Sequence, residues 1–112
     1  MTTKGSYLGE LEELVLITVA SLTDQAYGVS IMNYIMDEAD RSVNISAIHE
    51  VLKRLERKGL LKSKMGGATA ERGGRRKRYF ILTASGKKTL DECMKQKIQL
   101  YKKVPNFSLK SL

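Results

Sequence analysis

The segment from residue 47 to residue 82 constrains the fold most, because a helical pattern gives way within it to two strand patterns. In residues 47–58 the apolar side chains recur at the three- and four-residue spacing of one helical face. They are Ile48, Val51, Leu52 and Leu55. Ser46 is a favourable N-cap residue and Gly59 a favourable residue just past a helix end. The pattern therefore predicts a helix that starts after Ser46 and stops at Gly59.

Two short strands are predicted after this helix. Residues 60–65 and 77–82 are the strand candidates, and the second is rich in aromatic and β-branched types. The run between them contains four glycines, which break any regular pattern. Two strands separated by such a run predict a β-hairpin with a long tip.

Three further helices are predicted, over residues 8–22, 28–39 and 84–103. Each carries apolar residues at helical spacing. Thr83 is a suitable cap for the last helix, and Pro105 lies just beyond its end.

The element order is helix, helix, helix, strand, strand, helix, in a chain of 112 residues that suits one domain. The predicted fold class is mainly α with a small β-hairpin: a winged helix-turn-helix with a C-terminal dimerisation helix. Residues 1–83 are predicted to form the DNA-binding domain, with the wing at about 60–83. Residues 84–112 are predicted to add the dimerisation helix and a tail to the same compact unit.

Charge is divided sharply along the chain, whose formal net charge is +8. Residues 1–52 hold 2 basic and 8 acidic groups, whereas residues 53–88 hold 13 basic and 2 acidic groups. Residues 89–112 hold 5 basic and 2 acidic groups. One central segment thus carries the positive field, which indicates a docking face for a polyanion, with nucleic acid first.

The candidate nucleic-acid contacts lie on the third helix and on the wing. Residues near the start of the third helix are expected to reach base edges, and its later cations to meet phosphates. Five cations in the seven residues 72–78 make the wing a candidate phosphate clamp. The candidate set on these two elements is Ser46, Ala47, His49, Lys53, Arg54, Arg57, Lys64, Arg72, Arg75, Arg76, Lys77 and Arg78.

The first and last helices carry more apolar surface than a single small core obviously needs. We interpret the excess as a homodimer interface, and a two-fold dimer predicts a pseudo-palindromic site. The candidate interface residues are Leu8, Leu11, Val15, Leu90, Met94, Ile98 and Tyr101.

No pattern for catalysis, metal binding or a cofactor is found. The sequence has one His and one Cys, and no P-loop or dinucleotide fingerprint. The longest apolar run, residues 14–20, is far shorter than a membrane span. The expectation is a cytoplasmic protein that is not an enzyme, needs no cofactor and does not bind membranes.

The chain resembles the PadR-like family of bacterial winged-helix transcriptional regulators over about residues 8–90. The matching residues include Tyr27-Gly28 before the second helix and the run Leu52 to Leu60 around the end of the third. They also include the wing, Glu71 to Phe80, and Leu82-Thr83-Ala84-Ser85-Gly86. The tyrosine-glycine pair and the glycine-arginine wing at this relative spacing are the specific part of the pattern.

The resemblance implies a dimeric repressor that binds double-stranded DNA and dimerises through its C-terminal helix with help from the first. It implies that Tyr27 and Gly28 approach the phosphate backbone, that Ser46, His49 and Lys53 lie on the recognition helix, and that residues 72–78 form the wing. Some members bind small aromatic effectors that release DNA, so an effector is a hypothesis here too. Many relatives have tyrosine where this chain has His49, and this chain has no tryptophan to floor an effector pocket.

Two other functions remain open at this point. The first is a non-specific nucleic-acid-binding protein, architectural or RNA-binding, that uses the same basic face without a two-fold site. The second is a sensor or adaptor that has lost its DNA contacts, against which the intact basic wing argues.

Overall fold

The predicted element order is confirmed in the computed structural model, which describes residues 8–66 and 76–105. The helices are α1 (Glu10–Leu22), α2 (Gly28–Glu38), α3 (Ile45–Arg57) and α4 (Ala84–Tyr101). The strands are β1 (Leu61–Met65) and β2 (Arg78–Leu82), and a short 3-10 turn (Thr23–Gln25) follows α1. The strands pair antiparallel, and the predicted mainly helical fold with one hairpin is therefore correct.

One hydrophobic core joins the three-helix unit, the base of the hairpin and the start of α4. Its largest fully buried side chains come from α1, α2, α3 and β1, and Phe80 and Leu90 extend it to β2 and α4. The predicted apolar face of α3 is confirmed, because all four of its residues are buried. The opposite face of α3 is left to solvent, which makes it available for a partner.

The end of α3 follows the sequence prediction. Gly59 adopts a φ of +79°, a left-handed conformation that glycine reaches without the steric cost of a Cβ. The Leu60 N–H donates to the Leu55 carbonyl and the Gly59 N–H to the Glu56 carbonyl, both at 3.0 Å. This pair of bonds is a Schellman motif, which turns the chain sharply from α3 into β1.

The predicted start of α3 is wrong by two residues. Asn44, not Ser46, is the N-cap: its side-chain Oδ1 accepts the Ala47 N–H at 2.8 Å. Ser46 consequently lies within the first turn, with its side chain exposed. Both residue types are good N-caps. The helix starts after the earlier of the two, and its first residue is Ile45.

The other boundaries differ from the predictions by one or two residues. α1 begins at Glu10, because the Gly9 N–H is capped by the Glu12 carboxylate at 2.9 Å and Leu8 precedes the helix. The last helix ends at Tyr101 rather than at residue 103. Thr83 caps that helix as predicted, with its hydroxyl accepting the Gly86 N–H at 2.9 Å.

The hairpin is fixed to the helical unit on both sides. The Phe80 N–H donates to the Ala26 carbonyl at 2.9 Å, so the segment before α2 lies along the outer edge of β2. The Thr83 N–H donates to the Leu60 carbonyl at 3.1 Å and closes the base of the hairpin. These bonds set where the wing leaves the body of the protein.

We expect Asn44→Ala to lower the free energy of unfolding by about 1 kcal/mol, because the first turn of α3 loses its side-chain acceptor. Ser46→Ala is the matched control and should leave stability nearly unchanged. Urea denaturation followed by circular dichroism measures both. Equal losses in the two variants would contradict the assignment of Asn44 as the cap.

Candidate nucleic-acid interface

The outward face of α3 presents a row of polar and basic side chains. Ser46, His49, Lys53 and Arg57 are exposed and follow one another at three- and four-residue spacing. Such residues share one side of a helix. Ala47 is only half-buried and lies beside them in the first turn. The structure thus brings together five of the residues that the sequence proposed for DNA contact.

His49 also contacts the start of α2. A Cβ built on Gly28 would lie 2.6 Å from the His49 Nε2 atom, so a glycine is needed here for the imidazole to keep its place. This contact joins two predicted sites, the tyrosine-glycine pair and the recognition helix, into one surface. The sequence did not reveal it, because the two residues are far apart along the chain.

Tyr27 joins α2 to the wing. Its ring packs edge-on against the Tyr79 ring with centroids 5.5 Å apart, and the Lys77 Nζ atom lies 4.3 Å from the Tyr27 centroid. A cation over a tyrosine face at this distance is favourable. The Tyr27 backbone N–H donates to the Ser30 hydroxyl at 2.9 Å, which holds the start of α2. Tyr79 was not among the predicted site residues.

Arg78 is linked to α3 through the hydroxyl of Ser63. Its Nη1 donates to the Ser63 hydroxyl at 3.0 Å, and that hydroxyl donates to the Glu56 Oε2 at 2.8 Å. Lys64, Arg76 and Lys77 are exposed on the same hairpin. Arg72 and Arg75, which were predicted as wing contacts, lie outside the described residues.

Arg54 is held differently from the other cations of α3. Its Nε lies 3.8 Å from the Glu12 Oε2, and the Lys58 Nζ lies 3.0 Å from the same oxygen. Burial of Glu12 raises the pKa of its carboxyl. The Gly9 N–H, the hydrogen bond and charge of Lys58 and the charge of Arg54 outweigh that effect, so the pKa lies below its usual value of 4.5. Glu12 is therefore ionised at neutral pH.

The residues predicted for a dimer interface fall into two groups. Leu8, Val15 and Leu90 are buried in the core of the protomer itself. Leu11 and Met94 are half-buried against that core, whereas Ile98 and Tyr101 on α4 are 42% and 48% exposed. Leu100 and Val104 are also exposed. Among the residues predicted for the dimer interface, those most open to a partner therefore lie on the second half of α4.

The described part of the chain contains neither a cluster of metal-ligating side chains nor a membrane-spanning helix. Among residues 8–66 and 76–105, no three His, Cys, Asp or Glu side chains come together as metal ligands would. No helix in those ranges is both long and apolar enough to cross a bilayer. Cys93 is half-buried, and burial, with the nearby Glu13, raises the pKa of its thiol. A raised thiol pKa reduces the thiolate fraction and hence the reactivity.

A groove of about 440 Å³ lies on the outer face of the hairpin. Tyr79 and Ile81 form its apolar part, and Lys62 and Lys64 stand opposite them in the strand pairing. Asp24 and Gln25, from the turn after α1, close the other side. The groove touches the candidate interface through Tyr79, whose ring contacts Tyr27.

Comparison with known proteins agrees with this fold and with the resemblance seen in the sequence. A model of the PadR-like family of transcriptional regulators matches residues 16–92. The chain is similar to a PadR family transcription regulator from Clostridium difficile R20291, with 31% identity and a TM-score of 0.68. That match covers 88% of this chain and 96% of the other. No curated protein matches this chain significantly.

Two more distant solved structures share the fold. A transcriptional regulator from Clostridium thermocellum has 22% identity and a TM-score of 0.68, over 87% of this chain and 91% of its own. The PadR of Bacillus subtilis, solved in complex with operator DNA, has 23% identity and a TM-score of 0.66. That match covers 76% of this chain but only 46% of the Bacillus protein. The family match over most of the chain and the 31% identical regulator lead to one conclusion: this chain belongs to the PadR-like family of transcriptional regulators.

Proposed function

We propose that the protein is a sequence-specific DNA-binding repressor that acts as a homodimer. The observation that carries this proposal is the shared surface of α3, the start of α2 and the hairpin, where His49 contacts Gly28 and Lys77 lies over Tyr27. Exposed cations surround these contacts. A helix with such a face enters the major groove of DNA in helix-turn-helix proteins. The operator complex of the Bacillus PadR supports the proposal.

The contacts divide into two classes in this proposal. Ser46, Ala47 and His49 lie in the first turns of α3 and read base edges, as residues at the start of a recognition helix do. The other members of the surface bind the sugar-phosphate backbone. They are Tyr27, Gly28, Lys53, Arg57, Lys64, Arg76, Lys77 and Arg78, together with Arg72 and Arg75 of the wing.

The dimer of this proposal forms through α4. Ile98 and Tyr101 supply its centre, and Leu11 and Met94 its edge, because these residues keep apolar surface outside the protomer core. Leu8, Val15 and Leu90 support the interface from beneath. Residues 1–83 then bind DNA and residues 84–112 dimerise. A two-fold pair of this kind recognises two half-sites related by the same symmetry.

A small aromatic effector, in this proposal, binds in the groove beside Tyr79 and releases DNA. The groove beside Tyr79 supports it, because its volume falls in the range of small-molecule sites and it touches the DNA-facing surface. The hairpin side of the groove suits a flat ligand with an acidic group, held between Tyr79 and the two lysines and turned away from Asp24 on the other side. Occupation of the groove would disturb the Tyr79–Tyr27 contact and weaken DNA binding.

Selection from a random duplex pool at fixed near-physiological salt tests the DNA-binding proposal. We expect a palindromic consensus bound by two protomers. Salt-sensitive binding without a consensus would replace this proposal by non-specific nucleic-acid binding, whose affinity rests on phosphate contacts alone. The complete absence of binding would overturn both.

Effector binding is tested separately by thermal-shift and calorimetric screens with aromatic acids. A ligand that raises Tm and releases the selected duplex is expected, since a compound that binds only the folded state stabilises it. Lys62→Gln should weaken such a ligand, and Lys88→Gln on α4 is the matched control. A screen without any hit would remove the effector from the proposal.

A further inference from the structure

Glu12 is an acidic side chain inside a molecule whose binding face is basic. It lies on α1, and its side chain is only 7% exposed. Its Oε1 accepts the Gly9 N–H at 2.9 Å, and both oxygens accept from the Lys58 Nζ, at 3.2 and 3.0 Å. The Arg54 Nε lies 3.8 Å from Oε2. One carboxylate thus joins α1 to two cations at the far end of α3.

The cost of burying the charged Glu12 carboxylate keeps Arg54 and Lys58 in place beside it. A carboxylate removed from water is costly unless charged or polar partners surround it. Glu12 has little access to bulk solvent that could replace its partners, whereas the side chains of Arg54 and Lys58 are 42% and 35% exposed. Moving either cation away to a phosphate would leave the buried carboxylate less compensated.

The two cations occupy the last turn and the C-cap of α3. Of the base-reading residues, Ser46 lies about two to three turns away from these cations, and His49 about one and a half to two and a half turns away. Because α3 is a rigid helix, the contacts of Glu12 at one end of it also fix the direction of the other end. Arg57 is a useful contrast, because it is exposed in the same last turn and no salt bridge holds it among the described residues.

We propose that Glu12 is a positioning residue for DNA recognition: it withholds Arg54 and Lys58 from phosphates and fixes the direction of α3. Sequence preference then comes from the start of α3, and Arg54 and Lys58 at its far end do not add non-specific attraction. This changes the role expected for Arg54, which the sequence analysis placed among the phosphate contacts. The inference rests on the proposed function, since it concerns how the same surface discriminates between sequences.

Glu12→Gln is the main test, because the amide keeps the size of the side chain and removes its charge. Glu10→Gln is the matched control: it makes the same charge change on the same helix, but Glu10 is exposed and pairs with Arg41 instead. Affinity is measured by fluorescence anisotropy for the selected duplex and for a scrambled one, across a series of salt concentrations. Circular dichroism melts of both variants define the temperature at which each is folded.

For Glu12→Gln we expect the ratio of selected to scrambled affinity to fall about tenfold or more. Binding to the scrambled duplex should become tighter, and its salt dependence steeper by about one to two units per protomer, because two cations are released to phosphates. A variant that was merely destabilised would lose affinity for both duplexes and would not gain a steeper slope. Equal behaviour of Glu12→Gln and Glu10→Gln would overturn the proposal.

A second pair of variants keeps the proposal testable if Glu12→Gln does not fold. Arg54→Gln should leave the salt slope of the wild type unchanged and lower the affinity ratio. Arg57→Gln should reduce the slope by about 0.9 per protomer and leave the ratio nearly unchanged. If Arg54→Gln reduces the slope as Arg57→Gln does, Arg54 is a phosphate contact and the proposal is wrong.

The same measurements separate this inference from the proposed function. A wild-type protein that binds the selected and scrambled duplexes equally overturns both. A wild-type protein with a clear preference that Glu12→Gln retains overturns only the positioning role of Glu12.

Discussion

Gly86→Ala is expected to lower the free energy of unfolding by about 3 kcal/mol, a large effect for a single methyl group. Gly86 is buried in the first turn of α4, and a Cβ there would collide with the carbonyl oxygen of Leu60. That oxygen is backbone, and it already accepts the Thr83 N–H at 3.1 Å. The Thr83 hydroxyl also donates to the Gly59 carbonyl at 2.7 Å. The obstacle therefore has little freedom to move aside.

Urea denaturation and thermal melts measure the effect, and Tm should fall by about 15 °C. Ser85→Ala is the control, since the exposed neighbouring residue lies on the same turn of the same helix. Because α4 is also the proposed dimer helix, sedimentation should show a weaker dimer for Gly86→Ala. A Gly86→Ala protein as stable as Ser85→Ala would mean that α4 does not pack this closely on the turn between α3 and β1.

We expect Arg76→Ala to weaken binding to every duplex, and His49→Ala to weaken binding mainly to the selected sequence. Arg76 is an exposed wing cation, so its loss should weaken binding to all duplexes alike and reduce the salt slope by about 0.9 per protomer. His49→Ala should cost about tenfold per half-site at the selected sequence and little elsewhere, because a base contact is worth about 1–3 kcal/mol. With two half-sites the loss reaches about a hundredfold.

Gly28→Ala provides a third variant, which tests the role of His49 in base recognition without replacing the imidazole. The new methyl group would displace the His49 ring, whose Nε2 would otherwise lie 2.6 Å away. The sequence preference of Gly28→Ala should therefore change in the same direction as that of His49→Ala. All variants are compared by competition binding against the selected and scrambled duplexes. If Arg76→Ala and His49→Ala have the same profile, the division into phosphate and base contacts is incorrect.

The parts of the fold that depend on local pattern could be predicted from the sequence. The buried face of α3 follows from four apolar residues at helical spacing, and Gly59 takes the left-handed conformation that its position indicated. Thr83 caps α4 as its type suggested. In each case neighbouring residues determine the outcome, so the printed order of amino acids contains the information.

The features that were missed depend on contacts between distant parts of the chain. Glu12 reads as one of several acids in the first turn of α1, and Lys58, its main partner, is 46 positions away. Tyr79 joins the interface only because the hairpin folds back to Tyr27. The predicted dimer residue Val15 is buried within its own protomer, since a helix that is apolar on two sides does not reveal which side the core takes.

Hydrogen bonds fix the hairpin along its strands, so the stability of the protein depends little on the length of the connection between them. Phe80 donates to Ala26 on one side, and the Gly66 N–H donates to the Lys77 carbonyl at 2.6 Å at the open end of the strands. The five residue pairs of β1 and β2 set the strand register, and the Phe80 bond fixes β2 to the body of the protein. The entropy of closing a flexible loop grows only logarithmically with its length, so a connection twice as long between two such strands costs about 0.6 kcal/mol more. Insertions there therefore give evolution an inexpensive way to alter the groove contacts of a wing while the rest of the chain stays the same.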